Sequence, residues 1–439
     1  MKKFAIVMYL LTITLNSNAQ LLKKLKDKAV SKTEQKAEAK VDHKIDAAVD
    51  SVMDGNIHFP KNKKASQNDS LKDITLSAKN ENERRVDYEK GYVTKFDFIP
   101  GEKIIFFEDF SNESIGDFPS NWNTTGSGEI VTLNGLEGKW LLMQSQSNYT
   151  LNDLIDLPEN ATIQFDLTVS IPFEWRNEPV YFALADVKNQ DNYMNTSHYS
   201  LNGNDNIAFW LNLHPGNTDS NAYGGYMLYN TSSTNLVNEK LDLKKYFMPT
   251  KDNQPLKVSI WKQKQRIRVY LNENKALDLP KILPSEMKVN ALVWNTLSLQ
   301  GDNKYFISNI RVAAGNPDTR NKLISDGKLV SSGIQFGINS NVIKPESYGI
   351  LKEIAEVLKE NKTMNINIVG HTDDDGDEVS NLTLSQKRAI AVKTMLSQEF
   401  GIDALRMETD GKGENEPILP NTSTINKASN RRVEFIIIN

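Results

Sequence analysis

The chain has 439 residues, 52 Lys and Arg against 56 Asp and Glu for a net charge of −4, and no cysteine. The slight acidity excludes the broad basic field that a nucleic-acid partner requires, and the absence of thiols excludes both a disulfide framework and a lipid-accepting cysteine at an export signal. The length predicts about two or three domains, each able to bury its own core.

Met1-Lys2-Lys3, an apolar run from Phe4 to Leu15 and the small-residue site Ser17-Asn18-Ala19 read as a secretory signal peptide over residues 1–19, with cleavage expected between Ala19 and Gln20. Its apolar part is too short to span a bilayer, so the mature chain is expected to be exported. Residues 20–92 form a Lys-, Asp-, Glu- and Ala-rich arm and linker. Leu22, Leu25, Ala29, Ala37, Val41, Ile45, Ala48 and Val52 recur near every third or fourth position, as on a long helix with a thin apolar seam, and Gly55 and Pro60 stop it. Two readings stay open: a coiled-coil or membrane-surface helix that supports self-association, or a solvated arm of marginal stability. Residues 61–92 read as linker.

Residues 93–315 hold all 6 tryptophans and short β-type runs punctuated by Asn, Asp, Gly and Ser. Ile163, Phe165, Leu167 and Val169 alternate with polar neighbours, as do Ile267, Val269 and Leu271, which predicts strands with one wet face. A short polar connection between Leu256–Trp261 and Arg266–Leu271 predicts a hairpin. Further strands are expected at 104–108, 139–144, 180–185, 207–213, 226–230 and 305–312. So many strands in one domain mean a sandwich or a barrel. An outer-membrane barrel needs strands of about 9 to 11 residues with aromatic girdles, and most runs here are shorter and irregularly spaced, which favours the sandwich. Glu108-Asp-Phe-Ser, Phe118-Pro-Ser-Asn-Trp122, the Val258–Asn272 hairpin and Ile307–Val312 together resemble concanavalin-like or laminin-G-like jelly rolls, which implies a fold that often presents sugar sites. Trp122, Trp175, Trp210, Tyr223 and Tyr226 could stack on pyranose rings there, though strand aromatics by default fill the core. The polar clusters 186–191 and 202–206 lack any fixed calcium-ligand spacing and read as turns.

A linker over residues 316–327 leads to a C-terminal domain over residues 328–439. Lys328-Leu-Val330 and Gly333–Phe336 are expected to make its first strand, Pro345 to open a helix with Leu351, Ile354, Ala355 and Leu358 as its apolar stripe, and Arg432–Ile438 to close it. At its centre Asn365–Gly370 reads as a strand, His371–Gly376 as an acidic loop and the stretch from Asn381 as a helix facing inward through Leu384, Ala391, Val392, Met395 and Leu396. Asp373 ends the strand and Arg388 follows fifteen residues later, so a short loop and one helical turn could bring carboxylate and guanidinium together. Such a pair could clamp a zwitterion.

Gly370-His-Thr-Asp373 followed by Asn381-x-x-Leu-Ser-x-x-Arg-Ala389 resembles the peptidoglycan-binding signature of OmpA-like domains, and the flanks Gly333–Pro345, Gly413–Pro417 and Asn430–Phe435 resemble that family's first and last strands and loops. The resemblance implies a mixed βαβαβ-type α/β sheet and non-covalent binding of peptidoglycan through diaminopimelate, whose ammonium and carboxylate share one carbon. It places Asp373 on the ammonium and Arg388 on the carboxylate, with Thr372, Asn381, Asn339 and Arg432 as supporting contacts and Arg431 as a support of the fold. Two charge-assisted bonds of about 1.5 to 3 kcal/mol each do not give tight binding after desolvation, so these neighbours are needed. Gly337 stands where the family has an acidic residue. The remaining acids Asp374, Asp375, Asp377 and Glu378 read as solvated.

Other chemistry fits poorly. Asp373-Asp-Asp-Gly376 resembles part of an EF-hand loop, but His371 and Leu382 occupy positions where oxygen ligands are required, so no metal is expected. His371, Asp373 and Ser385 lack a nucleophile elbow and triad geometry. The sequence thus predicts a non-catalytic, cofactor-free envelope protein, periplasmic or outer-membrane-associated, that tethers an assembly to peptidoglycan. Its sandwich would face a glycan or an envelope protein. The alternative is a glycan-capturing or glycan-processing sandwich anchored by the C-terminal domain, which paired carboxylates about 5 to 9 Å apart in a sandwich cleft would favour.

Overall fold

The computed structural model describes residues 86–87, 92–93, 96–174, 176–187, 207–215, 223–230, 241–243, 246–248, 254–315 and 319–438. The signal peptide, nearly all of the arm and linker, Trp175, residues 202–206 and most of the 186–191 cluster lie outside these. Within the expected linker, β1 (Val86–Asp87) pairs antiparallel with β2 (Tyr92–Val93).

Two antiparallel sheets make the middle of the chain. One has the order β12 (Leu241–Asp242), β11 (Tyr223–Asn230), β10 (Ile207–His214), β9 (Val180–Asp186), β16 (Ala291–Thr296), β7 (Ser147–Leu151), β4 (Trp122–Thr124). The other has the order β15 (Asn274–Leu279), β14 (Arg266–Leu271), β13 (Leu256–Gln263), β8 (Asn160–Val169), β17 (Tyr305–Ala314), β6 (Trp140–Met143), β5 (Gly128–Val131), with β3 (Lys103–Glu108) on the far half of β17. They face each other across one core: Phe165 of β8 lies 5.0 Å from Phe182 of β9 and 5.6 Å from Trp294 of β16 between ring centroids. Among the described residues neither sheet closes on itself, and the filled interior differs from a barrel lumen. The β13–β14 hairpin forms in the register Val258↔Leu271, with Lys264 at φ 53° in its turn. Trp122, Trp210 and Tyr226 are buried, so core packing rather than an open stacking face accounts for them.

The predicted wet face of the second sheet is not wet. Thr162, Gln164, Asp166 and Thr168 of β8 are buried opposite the core side. Two coverings account for this. The segment before β3 lays Phe98 against Trp261 and Tyr270, and the C-terminal sheet and helices pack beside it.

Those C-terminal elements are β18 (Lys328–Ser331), α2 (Tyr348–Glu360), β19 (Asn365–Gly370), α3 (Glu378–Gln398), β20 (Met407–Gly411), α4 (Thr424–Asn430) and β21 (Val433–Ile438), preceded by α1 (Thr319–Ser325). The sheet order is β18-β21-β19-β20, parallel only between β19 and β20, as a mixed α/β sheet requires. Several expectations are corrected. The linker at 316–327 contains α1, whose Leu323 is fully buried in the C-terminal core. The first strand stops at Ser331, and Phe336 only bridges Ile343. The last strand starts at Val433. A short helix α4 precedes it, capped by the Ser423 hydroxyl on Asn426 N–H. The buried stripe of α3 runs through Asn381, Ser385, Arg388, Ala389, Val392 and Leu396, polar at its first half and apolar at its second. Leu384 and Met395, expected on that face, are only partly buried.

The two halves belong to one unit, Asn80–Asn439, and their seam is polar and wedged. Arg311 of β17 donates to Gly101 O at 2.7 Å and to Ser332 Oγ at 3.1 Å, Lys257 pairs with Asp166 at 2.6 Å, and Gln335 reaches Gln164 at 3.4 Å. Helix α2 meets the strap closely enough that a Cβ on Gly349 would lie 2.2 Å from Phe98 O. Helix α4 packs on β3.

Candidate functional site

Strand β19 ends in Gly370, and the chain turns out through His371, Thr372 and Asp373 at the mouth of a cleft of about 460 Å³. The C-terminal sheet and α3 form one wall. Residues of β3, β8, β13 and β17 form the other, so the sheet stack is part of the site.

Asp373 is 6 % exposed. Its Oδ2 accepts a hydrogen bond from Nη1 of Arg431, and among the described residues Oδ1 has only a long bond from Asp375 N–H at 3.4 Å. The ion pair is therefore Asp373–Arg431. Arg431, assigned to the fold by its sequence position, sits between α4 and β21 with its guanidinium carbon 4.9 Å from the ring centre of Phe107 on β3.

Arg388 lines the same cleft from α3. Its Nε–H donates to Ser340 O at 3.0 Å and its guanidinium lies 5.0 Å from the Phe336 ring centre. Burial brings it down to about 10, reinforced by the Arg431 charge and opposed by Asp373, so it stays protonated at neutral pH. Among the described residues its Nη groups have no partner, which leaves donors for an anion. The loop that supplies Ser340 turns on Gly337: Ser340 N–H bonds Gly337 O at 3.2 Å, and a Cβ at 337 would lie 3.2 Å from Ser340 Cβ. A larger residue at 337 would press on Ser340, whose carbonyl receives Arg388.

Thr372 is 3 % exposed and its Oγ1 is a buried hydroxyl without a hydrogen-bond partner among the described residues, beside the cleft. Such an orphan costs about 1–3 kcal/mol unless something fills it. Asn381 is spent on the loop, donating to Asp375 O at 3.1 Å, Glu414 Oε2 at 2.6 Å and Asp373 O at 3.4 Å. Asn339 is exposed on the rim with φ 48°.

Arg432 touches the cleft but its donors are committed: Nε to Glu434 Oε1 at 2.9 Å, Nη2 to Glu434 at 2.8 Å and Glu416 O at 3.0 Å, and Nη1 to Asn430 O at 3.4 Å. Glu434 also takes Lys328 at 2.7 Å and faces His371 Nε2 at 3.6 Å. Burial would raise its carboxyl, but the interactions with His371, Lys328 and Arg432 hold it well below the usual carboxylate range. One signal for this was local: Arg432 directly precedes β21 and lies two residues from Glu434, within reach of its carboxylate.

The acids expected to be merely solvated have roles. Asp377 caps α3 through Ser380 N–H at 2.9 Å, and Lys427 of α4 pairs with Asp374 at 3.2 Å and Asp375 at 2.5 Å. These contacts fix the loop that carries Asp373.

Residues 335–431 match the OmpA family. Outer membrane porin F of Pseudomonas fluorescens is 36% identical over 24% of this chain and 32% of its own length. The probable lipoprotein YiaD of Escherichia coli strain K12 is 38% identical over 24% of this chain and 48% of its own. The peptidoglycan-associated lipoprotein from Burkholderia pseudomallei is similar in structure at 27% identity, with TM-score 0.24, covering 28% of this chain and 100% of that one. The chain thus spans about a third to a half of the length of the curated relatives it matches.

Proposed function

With an OmpA family domain at residues 335–431 as premise, we propose that the protein binds peptidoglycan non-covalently through the cleft at Asp373 and Arg388, taking the zwitterionic carbon of diaminopimelate in the stem peptide. One oxygen of Asp373 is held by Arg431 and the other faces the ligand ammonium. The Nη donors of Arg388 and the Thr372 hydroxyl receive the ligand carboxylate. The observation that carries this reading is a buried carboxylate, half-satisfied, and a buried guanidinium whose Nη groups have no partner among the described residues, both opening on one cleft. Opposite charges side by side, each with unused hydrogen-bonding capacity, fit a zwitterion better than a simple cation or anion.

The protein would act as a non-catalytic tether in the cell envelope, periplasmic or outer-membrane-associated, and the relatives' names, an outer membrane porin and a peptidoglycan-associated lipoprotein, support that location. For the rival in which the sheet stack captures glycans, Trp122 and Trp210, 3 % and 1 % exposed, offer no face to a sugar, while Tyr223 is 42 % exposed and stacked on His214. Co-sedimentation of the full chain with purified sacculi is the test. Wild type is expected in the pellet, and Asp373→Ala and Arg388→Ala in the supernatant; equal binding by all three proteins overturns the reading.

A further inference from the structure

The cleft is more basic than a single zwitterion needs. Its cations are mostly accounted for within the protein. Arg431 is on Asp373, and Lys139 donates to Ser111 O at 2.9 Å and Glu113 O at 2.7 Å. Lys257 holds Asp166 at 2.6 Å and Glu346 at 3.7 Å, and Asn309 takes the other oxygen of Asp166 at 2.6 Å.

Lys344 is different. Its backbone is fixed, with N–H on Gln335 O at 2.8 Å and an extended conformation, φ −75° and ψ 147°, ahead of the turn that Pro345 opens. Its partly buried side chain lines the cleft, yet among the described residues its ammonium has no hydrogen bond and no ion pair. Burial, and then repulsion from Lys257, lower its proton affinity, with Arg431 adding to that repulsion. The carboxylates within its field are Asp166, bonded to Lys257 at 2.6 Å, and Glu346, whose Oε1 lies 3.7 Å from Lys257 with no hydrogen-bond partner among the described residues. A partly buried ammonium with no hydrogen bond or ion pair of its own among the described residues is a costly arrangement that a ligand carboxylate would relieve.

We propose that Lys344 forms a second anion subsite of this cleft, against the sheet-stack wall, which receives a carboxylate of the stem peptide other than the one on the zwitterionic carbon. The subsite rests on the peptidoglycan reading above and sharpens it: the protein recognises a multiply carboxylated peptide, and the middle of the chain helps to read it because Lys257 and Asp166 hold the wall beside Lys344.

The test is a cycle on the full chain with two synthetic peptides: the stem tripeptide L-Ala-D-Glu-meso-diaminopimelate, and the same peptide with every carboxylate except that of the zwitterionic carbon converted to carboxamide. Calorimetric titration of wild type should show the free-acid peptide bound about tenfold more tightly, as loss of one charge-assisted hydrogen bond implies. Lys344→Gln should abolish that preference by weakening only the free-acid peptide, and Lys344→Arg should retain it. Asp373→Ala should lose both peptides. Equal affinity of wild type for the two peptides, or a Lys344→Gln effect that is nil or the same on both, overturns the subsite while the clamp stands. Wild type that binds neither peptide overturns the peptidoglycan reading and the subsite with it.

Discussion

Arg431 donates through Nη1 to Oδ2 of Asp373, so the carboxylate in the turn after β19 is held from the segment between α4 and β21 rather than by Arg388 on α3. The pair sets the orientation of Asp373 and leaves Oδ1 toward the cleft. Among the described residues the Nη donors of Arg388 have no partner.

Phe107 lies under Arg431 although it belongs to β3 in the sheet stack. A partly exposed cation–π contact is worth about 0.5–1 kcal/mol. Phe107→Ala should therefore loosen Arg431 and weaken sacculus binding by about two- to fivefold, with the melting temperature little changed. Co-sedimentation titration measures this, and undiminished affinity would show that the wall contributes nothing through this contact.

Glu434 is a buried hub for Arg432, Lys328 and His371. Its folded-state carboxyl is held below the unfolded value of 4.5, so the stability it provides is complete above that pH and is lost as pH falls through the lower folded value. Glu434→Gln leaves Arg432 buried without a counter-charge and should cost about 3 kcal/mol at pH 7. Urea unfolding should show the gap between variant and wild type closing under acid conditions, well below pH 4.5.

Much of the C-terminal site was legible because it is local. Thr372, Asp373 and Arg388 sit on one contiguous strand, loop and helix, and the period of the apolar residues is enough to place them together. Arg431 was not, since two adjacent arginines look alike until the strand phase is fixed by Glu434. In the middle of the chain, Ile163, Phe165, Leu167 and Val169 announced the core side of β8, and all four are in the core. The burial of Gln164 and Asp166 on its other side follows from Gln335, Lys257 and the Phe98 strap. No periodicity within β8 can report partners so distant in sequence.

Glu108 ends β3, next to Phe107, with its Oε1 accepting from Phe110 N–H at 2.9 Å. Burial raises its carboxyl to about 7, against a smaller lowering from that bond. The sign is opposite to that of Glu434. The folded state favours the protonated form, so its contribution is present below the unfolded value of 4.5 and is lost as pH rises through about 7. Wild type should lose on the order of 3 kcal/mol from this group between pH 5 and pH 8, and Glu108→Gln should not. Thermal unfolding of both proteins across that range checks it: parallel curves would sink the assignment.

The seam between the sheet stack and the C-terminal sheet depends on Gly349. Its position at the start of α2 brings the helix backbone against the strap, and a Cβ there would sit 2.2 Å from Phe98 O and 3.0 Å from a side-chain carbon of Ile99. The nearest atom is a backbone oxygen in a fully buried residue that packs on Trp261 and Tyr270, so it cannot swing aside as a flexible side-chain tip would. Gly349→Ala gains helix propensity of about 1 kcal/mol, yet overpacking of this kind costs about 1–3 kcal/mol or more. The clash should win. The expected result is a lower melting temperature together with weaker sacculus binding, because the displaced helix carries away the Pro345 turn and Lys344 before it. If the variant melts higher and binds as wild type, helix propensity has won, and the close approach of Phe98 to α2 is not what holds the two walls of the cleft together.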